Sequence, residues 1–303
     1  LSATLTWIEV RVLAPIEWHE LVAEALTIGP CSSVAFGRPS LATEEPAEGF
    51  DFVRTFIPSH ADSAALRTEL EWSIASLSAR AAAPELAGLV LEFRALLPED
   101  YATSWKKSWK PFRVGTLCVV APWRESRPRP SDRVLRLEPG GAFGSGRHAT
   151  TRMCLRAIEQ RMRPGLRMLD AGSGSGILAV AGVLFGAREA HGFDIDDNAR
   201  PYAEALAEAN GAQNRCRFTT GGFETVEGTY DAIVSNIYAD VIQAHIRALH
   251  DALAPGGWFA FSGCTRQHAE ATQAVIERSG LELQDVRVRG RWYAFVGTRP
   301  GRA

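Results

Sequence analysis

Hydrophobic positions in the first third of the chain switch repeatedly between a period of two and a helical period. TWIEVRVL alternates as a half-buried strand does. Trp18, Leu21, Val22 and Ala25 then recur at helical spacing. Ser33–Phe36 and Phe50–Ile57 read as two short strands. Leu66, Leu70, Ile74 and Leu77 mark one face of a longer helix, and Leu89–Leu96 returns to strand. The order βαββαβ predicts a small α+β domain of ferredoxin-like type over residues 1–97.

The pattern breaks between residues 98 and 130. YATSWKKSWKPFRVG predicts a short helix stopped by Pro111, and APWRESRPRPSD, rich in Pro, Arg and Ser, reads as a linker with the domain boundary near it. From residue 131 to 303 long strand and helix patterns alternate. LRMLDAG leads to GILAVAGVLFGA, and EAHGFDI to DNARPYAEALAEANGA; YDAIVSNI precedes a helix over ADVIQAHIRALHDALAPGG. Repeated βα units of this kind build a parallel sheet with helices on both faces, a Rossmann-like α/β domain. The last two strands, LELQDVRVRG and RWYAFVGT, have only a tight connection. They must pair antiparallel, because a parallel return needs a crossover.

Bulk properties narrow the function. The net charge of -2 provides no global basic field for nucleic acid or anionic lipid. Cys31, Cys118, Cys154, Cys216 and Cys264 contain no CxxC pair, which predicts reduced thiols in a cytoplasmic protein and no zinc site. His245 and His250 are not at metal-ligand spacing. No apolar run is long enough to span a bilayer, and LSATLTWIEV lacks the regions of a signal peptide.

Chemistry concentrates in five segments. In MLDAGSGSGIL a buried strand runs into Gly172, Gly174 and Gly176, which open a helix. Such glycines let the backbone turn sharply against a ligand, and the helix start offers N–H groups to an anion. The spacing is G-x-G-x-G, not the G-x-G-x-x-G of a dinucleotide site, and no P-loop motif occurs. S-adenosylmethionine, whose anionic end is a carboxylate, fits better than a dinucleotide. Asp194 ends the next strand in GFDID, where a carboxylate can accept from both ribose hydroxyls. Asp196 and Asp197 read as helix caps. Asn236, in IVSNIYAD, is placed to face the cleft, where its carbonyl can hold an amine N–H without adding charge. EPGGAFGSGRHATT is a glycine-rich loop able to fold over a cofactor; Thr150 and Thr151 are its candidate helix caps, and His148 has two readings, a catalytic role and, preferred here, fixing the loop through a backbone hydrogen bond. SWKKSWKPFR combines Trp105 and Trp109 with Lys106, Lys107, Lys110 and Arg113. Two readings fit it: RNA contact, and, preferred here, a linker helix docking its tryptophans between domains.

These segments together resemble the PrmA family, the bacterial ribosomal protein L11 methyltransferases. The matching stretches are SWKKSWKPFRVG, AFGSGRHATT, LDAGSGSGILA, GFDID, SNIYAD and LAPGGWFAFSG. The resemblance implies a class I S-adenosylmethionine-dependent methyltransferase domain with a smaller N-terminal domain that recognises the protein substrate. Matched position by position, it places cofactor contacts on Thr151, Gly172, Asp194 and Asn236. It implies ribosomal protein L11 as partner, methylated on lysine side chains and/or the α-amine, with no direct nucleic-acid binding required, by a cytoplasmic monomer. The chain departs from the family at Ser145 and Ala149, where Thr and Pro are usual, and at Tyr238, where the family has Leu. These changes leave open a related protein-lysine methyltransferase with another target. A catalytically silent cofactor-binding module is a further alternative. No residue is assigned as a general base.

Overall fold

The computed structural model describes residues 7–29, 31, 34–36, 46–96, 111–124, 127–138 and 146–301. The chain divides into two compact units, Leu1–Lys110 and Pro111–Ala303.

The first unit contains β1 (Trp7–Pro15), α1 (His19–Ala25), β2 (Val34–Phe36), β3 (Phe50–Pro58), α2 (Ala64–Ala75), α3 (Leu77–Ala81) and β4 (Leu91–Leu96). The strands pair antiparallel in the order β2-β3-β1-β4, the ferredoxin-like arrangement. Alternation on β1 and β3 sends Val10, Val12, Ala14, Val53 and Ile57 to one face. There they pack on Val22 and Leu26 and on Leu66, Leu70 and Ile74 of α2. Ser63 caps α2, its hydroxyl accepting from the Leu66 amide at 3.2 Å. The helix expected to run on to Leu77 divides at Ser76, whose hydroxyl bonds back to the Ser73 carbonyl.

The second unit begins earlier than the linker reading placed it. β5 (Phe112–Val114) and β6 (Leu117–Val120) pair antiparallel, and β6 runs parallel to β7 (Arg133–Arg136). LCVV is a short continuous apolar run buried along its whole length, the mark of a core strand. The Pro- and Arg-rich stretch therefore connects two strands of one unit and is not the boundary. Residues 97–110, including the expected tryptophan-bearing helix, lie outside the described residues.

The main sheet holds β8 (Arg167–Ala171), β9 (Glu189–Asp194), β10 (Cys216–Thr220), β11 (Tyr230–Asn236), β12 (Leu253–Thr265), β13 (Glu282–Arg289) and β14 (Trp292–Thr298). Their order is β10-β9-β8-β11-β12-β14-β13. The first five are parallel, and β14 runs antiparallel between β12 and β13, as the short β13–β14 connection requires. Helices α4 (Ala149–Arg161), α5 (Ile177–Leu184), α6 (Ala199–Ala209), α7 (Ala239–Ala252) and α8 (Ala269–Arg278) complete the layers. Phe259, Phe261 and Phe295 are fully buried within this sheet's core. The APGG segment, expected at the end of a helix, is an irregularity at the start of β12: pairing jumps from Tyr230↔Leu253 to Ala232↔Trp258. Pro255 cannot continue α7, and a side chain at Gly257 would meet the Asp231 carbonyl at 2.9 Å.

Candidate functional site

The strand order reverses at β8, with β9 and β10 on one side and β11 and β12 on the other. At such a switch point the C-terminal strand ends diverge and leave a crevice. All four residues singled out from sequence gather around it.

Gly172, Gly174 and Gly176 all have positive φ, at 76°, 48° and 77°. A side chain at Gly172 would strike Ile237 Cγ2, so this turn is closed by the residue after Asn236. The Gly172 and Ser173 amides both donate to the Phe193 carbonyl, at 3.0 and 2.9 Å, binding the loop to β9. Asp194 fastens it a second time: Oδ2 accepts from the Gly174 amide at 2.7 Å, while Oδ1 accepts from Asp196 at 3.0 Å. Each carboxylate oxygen has a further lone pair, so the half-buried Asp194 retains acceptor capacity toward the crevice. Asp196 and Asp197, expected as helix caps, do not occupy the cap: Asn198 is the N-cap of α6, and Asp196 Oδ1 accepts from its amide at 2.9 Å in the turn before the helix.

On the other side of the switch point, Asn236 Nδ2 donates to Thr151 Oγ1 at 3.1 Å. Thr151 lies in the first turn of α4 and is 1 % exposed. It does not cap the helix. His148 does: its Nδ1 accepts from the Thr150 amide at 3.4 Å and lies 2.6 Å from the Thr150 hydroxyl. The imidazole also packs edge-on against Trp292, with ring centroids 4.8 Å apart. Burial pushes its pKa down to about 4, so it is neutral at physiological pH. Ser235 Oγ donates to the Ala171 carbonyl at 2.9 Å, fixing the end of β11 against β8.

The chain matches the family described as Ribosomal protein L11 methyltransferase (PrmA) over residues 6–300. It is 35% identical to the ribosomal protein L11 methyltransferase of Pelotomaculum thermopropionicum, across 96% of this chain and 98% of that one. With the same-named protein of Chloroflexus aurantiacus the identity is 31%, across 98% and 99%. The chain belongs to the ribosomal protein L11 methyltransferase (PrmA) family. A crystal structure of ribosomal protein L11 methylase from Lactobacillus delbrueckii subsp. bulgaricus is similar with a TM-score of 0.60 and 29% identity, covering 63% of this chain and all of that one. The protein is thus an S-adenosylmethionine-dependent methyltransferase.

The residues at the switch point fit that cofactor. The carboxylate of Asp194 suits hydroxyl donors, and the first turn of α5 faces the loop with amides lacking helical partners. Asp170 is not singled out by sequence reasoning. It is fully buried directly beneath the glycine loop. Its Oδ2 accepts from the Ala179 amide at 3.0 Å, while Oδ1 has no partner among the described residues. Burial drives its carboxyl well above the usual range, opposed by the Ala179 amide and reinforced by Asp194. A signal for it is nevertheless present: an acid within the apolar run MLDA, two residues before the first loop glycine. No group of three or more potential metal ligands clusters among the described residues.

Proposed function

We propose that this methyltransferase modifies amines of ribosomal protein L11, lysine side chains and/or the α-amine. The observation that carries the reading is the family match, which runs through both compact units and not through the cofactor-binding unit alone. In this reading Asp194 receives the ribose, the loop at Gly172 takes the amino-acid end of the cofactor, and the Asn236 carbonyl holds the acceptor amine. Thr151, expected to contact the cofactor, is buried and bonded to the Asn236 amide, so in this reading it acts through Asn236 as a positioning residue. The first unit recognises the protein substrate, and the enzyme works as a cytoplasmic monomer; no described helix is long and apolar enough to cross a membrane.

The bound cofactor supplies a methyl group on a sulfonium centre. The acceptor must present a lone pair, and a free lysine amine has a pKa of about 10.4. A neighbouring cation and partial burial both disfavour the ammonium form, so the site needs no dedicated base. Its contribution is alignment of the neutral amine. The test is incubation with labelled cofactor and purified ribosomal proteins, followed by mass spectrometry of the labelled band. Label confined to proteins other than L11 would reassign the substrate.

A further inference from the structure

Strand β12 changes phase where it passes the crevice. Its residues Phe259 and Phe261 point into the core cluster that Ile242 and Leu249 of α7 and Ile276 of α8 share. Strict alternation would send Gly263 to the same face. Cys264 takes that place instead, within the same cluster and with Sγ 3.5 Å from the Thr272 hydroxyl. The pairing with β14 gives the cause. It steps from Ser262↔Ala294 to Cys264↔Tyr293, so β12 advances two residues against one of β14, and Gly263 is the extra one. This is a β-bulge, a feature that bends one strand and re-aims what lies beside it. Ser262, fully buried, pins it: Oγ donates to the Tyr293 carbonyl at 3.0 Å.

The bulge adjoins Asn236. Asn236↔Ser262 is the last register pair of β11 and β12, so Ile237 and Gly263 leave the ladder side by side. A Cβ on Gly263 would overlap the Ile237 carbonyl oxygen and lie 2.7 Å from the carbonyl carbon. The φ of 95° at Gly263 also disfavours a side chain. From β8, Gly172 approaches the side chain of the same residue, at Cγ2. Ile237 is thus seated with its backbone against β12 and its side chain against β8. Asn236, directly before it, turns its amide to Thr151 at 3.1 Å. A side chain at position 263 would push the Ile237 peptide away from β12, and the push would pass directly to Asn236. A shift of about 1 Å in a group that aligns a reactant lowers the rate roughly a hundredfold.

We propose that Gly263 is a positioning residue for the acceptor amine. The bulge of β12 brings its bare Cα against the Ile237 peptide, and that contact sets the direction in which the Asn236 carbonyl points. The inference rests on the reading that Asn236 holds the amine, and it adds a third support to that side chain. The end of β11 is tied to β8 by the Ser235 hydroxyl and to α4 by Thr151, and Gly263 seats it against β12. Asp194, which receives the ribose in the same reading, lies across β8 on β9. Moving the Ile237 peptide therefore affects methyl transfer more than cofactor binding.

The test compares the full-length wild type with Gly263→Ala, Ser262→Ala, Gly256→Ala and Asn236→Ala. Each is measured for kcat and KM on the ribosomal protein that takes up labelled methyl groups, for S-adenosylmethionine affinity by calorimetry, and for melting temperature. Gly256 is the matched control: it lies on β12 with a φ of 80°, but a Cβ there meets nothing within 4 Å. Gly263→Ala should lower kcat roughly ten- to a hundredfold, with KM and cofactor affinity changed by about threefold or less. Ser262→Ala, which unpins the bulge, should lower kcat several-fold in the same pattern. Gly256→Ala should lower the melting temperature and leave kcat unchanged. A wild-type kcat in folded Gly263→Ala beside a slow Asn236→Ala overturns this inference alone. So does an equal loss of kcat in Gly256→Ala, which marks general strain. If Gly263→Ala does not fold, Ser262→Ala decides, and an unchanged kcat there overturns the assignment. A wild-type rate in Asn236→Ala instead overturns the reading of Asn236, and the inference falls with it. A labelled protein other than L11 changes the target and not the ratios between variants.

Discussion

The side-chain amide of Asn236 donates to the hydroxyl of Thr151 across 3.1 Å, joining positions 85 residues apart in the chain. One partner ends β11 and the other lies in the first turn of α4. The bond uses the amide's N–H and leaves its carbonyl for an acceptor amine. Thr151→Val keeps the shape of a side chain that is 1 % exposed but leaves Asn236 without this partner. Losing one neutral hydrogen bond costs about 1 kcal/mol, and turnover should fall roughly fivefold. Cofactor affinity by calorimetry should change less than kcat, and Thr151→Ser should restore the rate. An unchanged kcat in the valine variant removes Thr151 from the positioning of Asn236.

Asp194 binds two backbone amides of its own chain as well as facing the crevice. Asp194→Ala should weaken S-adenosylmethionine binding by about 1.5–3 kcal/mol, roughly ten- to a hundredfold in Kd. Asp194→Asn keeps one acceptor oxygen and should fall between the two. Circular dichroism checks that the fold persists. Equal affinity of wild type and alanine variant places the ribose elsewhere.

The parts of the fold written as hydrophobic period are legible in the sequence itself. Alternation in TWIEVRVL, the LDAGSGSG turn and the short β13–β14 connection each translate directly into β1, the β8–α5 junction and an antiparallel pair. The errors arise where one local signal carries two meanings. LCVV lies between turn-rich stretches and reads as part of a linker, yet its side chains are buried in β6. APGG reads as a helix stop, yet it opens β12 because β11 has already set the register. At the site, Gly172, Asp194 and Asn236 are visible as the ends of consecutive βα units. The pairing of Thr151 with Asn236 is beyond the sequence, because it depends on α4 folding back over the sheet. Asp170, the one acid of β8, carries a sequence signal in its apolar surroundings, but its burial and the unpaired Oδ1 are seen only in the structure.

Gly172 carries two separate constraints, and a pair of variants distinguishes them. Its φ of 76° disfavours any side chain, and a Cβ there would strike Ile237. Gly172→Ala should lower the melting temperature and abolish measurable cofactor binding. Adding Ile237→Ala makes room for the methyl group but leaves the backbone strain, about 1 kcal/mol. The double variant should therefore recover part of the loss and not all of it. Full recovery would show that contact alone, and not backbone conformation, requires glycine.

Two histidines make stability depend on pH. Burial lowers the pKa of both His148 and His191 to about 4, against an ordinary value of 6.5. Between these values the unfolded chain binds more protons than the folded one, so stability rises with pH there. Their contribution is complete above about pH 6.5 and is lost as pH falls toward 4. Burial, and then the Arg217 cation, keep His191 neutral, and its ring nitrogens lie 2.8 Å from the Tyr230 hydroxyl and 2.9 Å from that of Thr219. Urea midpoints should drop between pH 7.5 and pH 5, and His191→Gln should flatten that drop even if it lowers the midpoint at pH 7.5. A midpoint insensitive to pH across this interval would show that neither ring is buried in its neutral form.

Substrate choice and methyl transfer should separate with the two compact units, provided the cut falls at Pro111. A fragment beginning near Ser131 would match the linker reading of the sequence but would remove β5 and β6. β6 supplies buried Leu117, Cys118, Val119 and Val120, and the Thr116 amide and hydroxyl both bond to Glu159 at 2.7 Å. Each buried aliphatic side chain contributes on the order of 1.5–3 kcal/mol, so that fragment should be unstable or aggregate. A fragment of residues 111–303 keeps the three-stranded sheet, the crevice and all four site residues. It should fold and bind S-adenosylmethionine with affinity close to that of the full chain, because a compact unit carries its own core. It should lose most activity on ribosomal protein L11, since docking energy from the first unit is then no longer available to hold the target amine in line. The loss should extend to kcat as well as KM, because a remote contact also serves alignment. Circular dichroism and calorimetry establish folding and cofactor binding for both proteins, and labelled methyl incorporation compares their activity. A folded 111–303 fragment that methylates L11 as efficiently as the full chain would show that the first unit does not select the substrate.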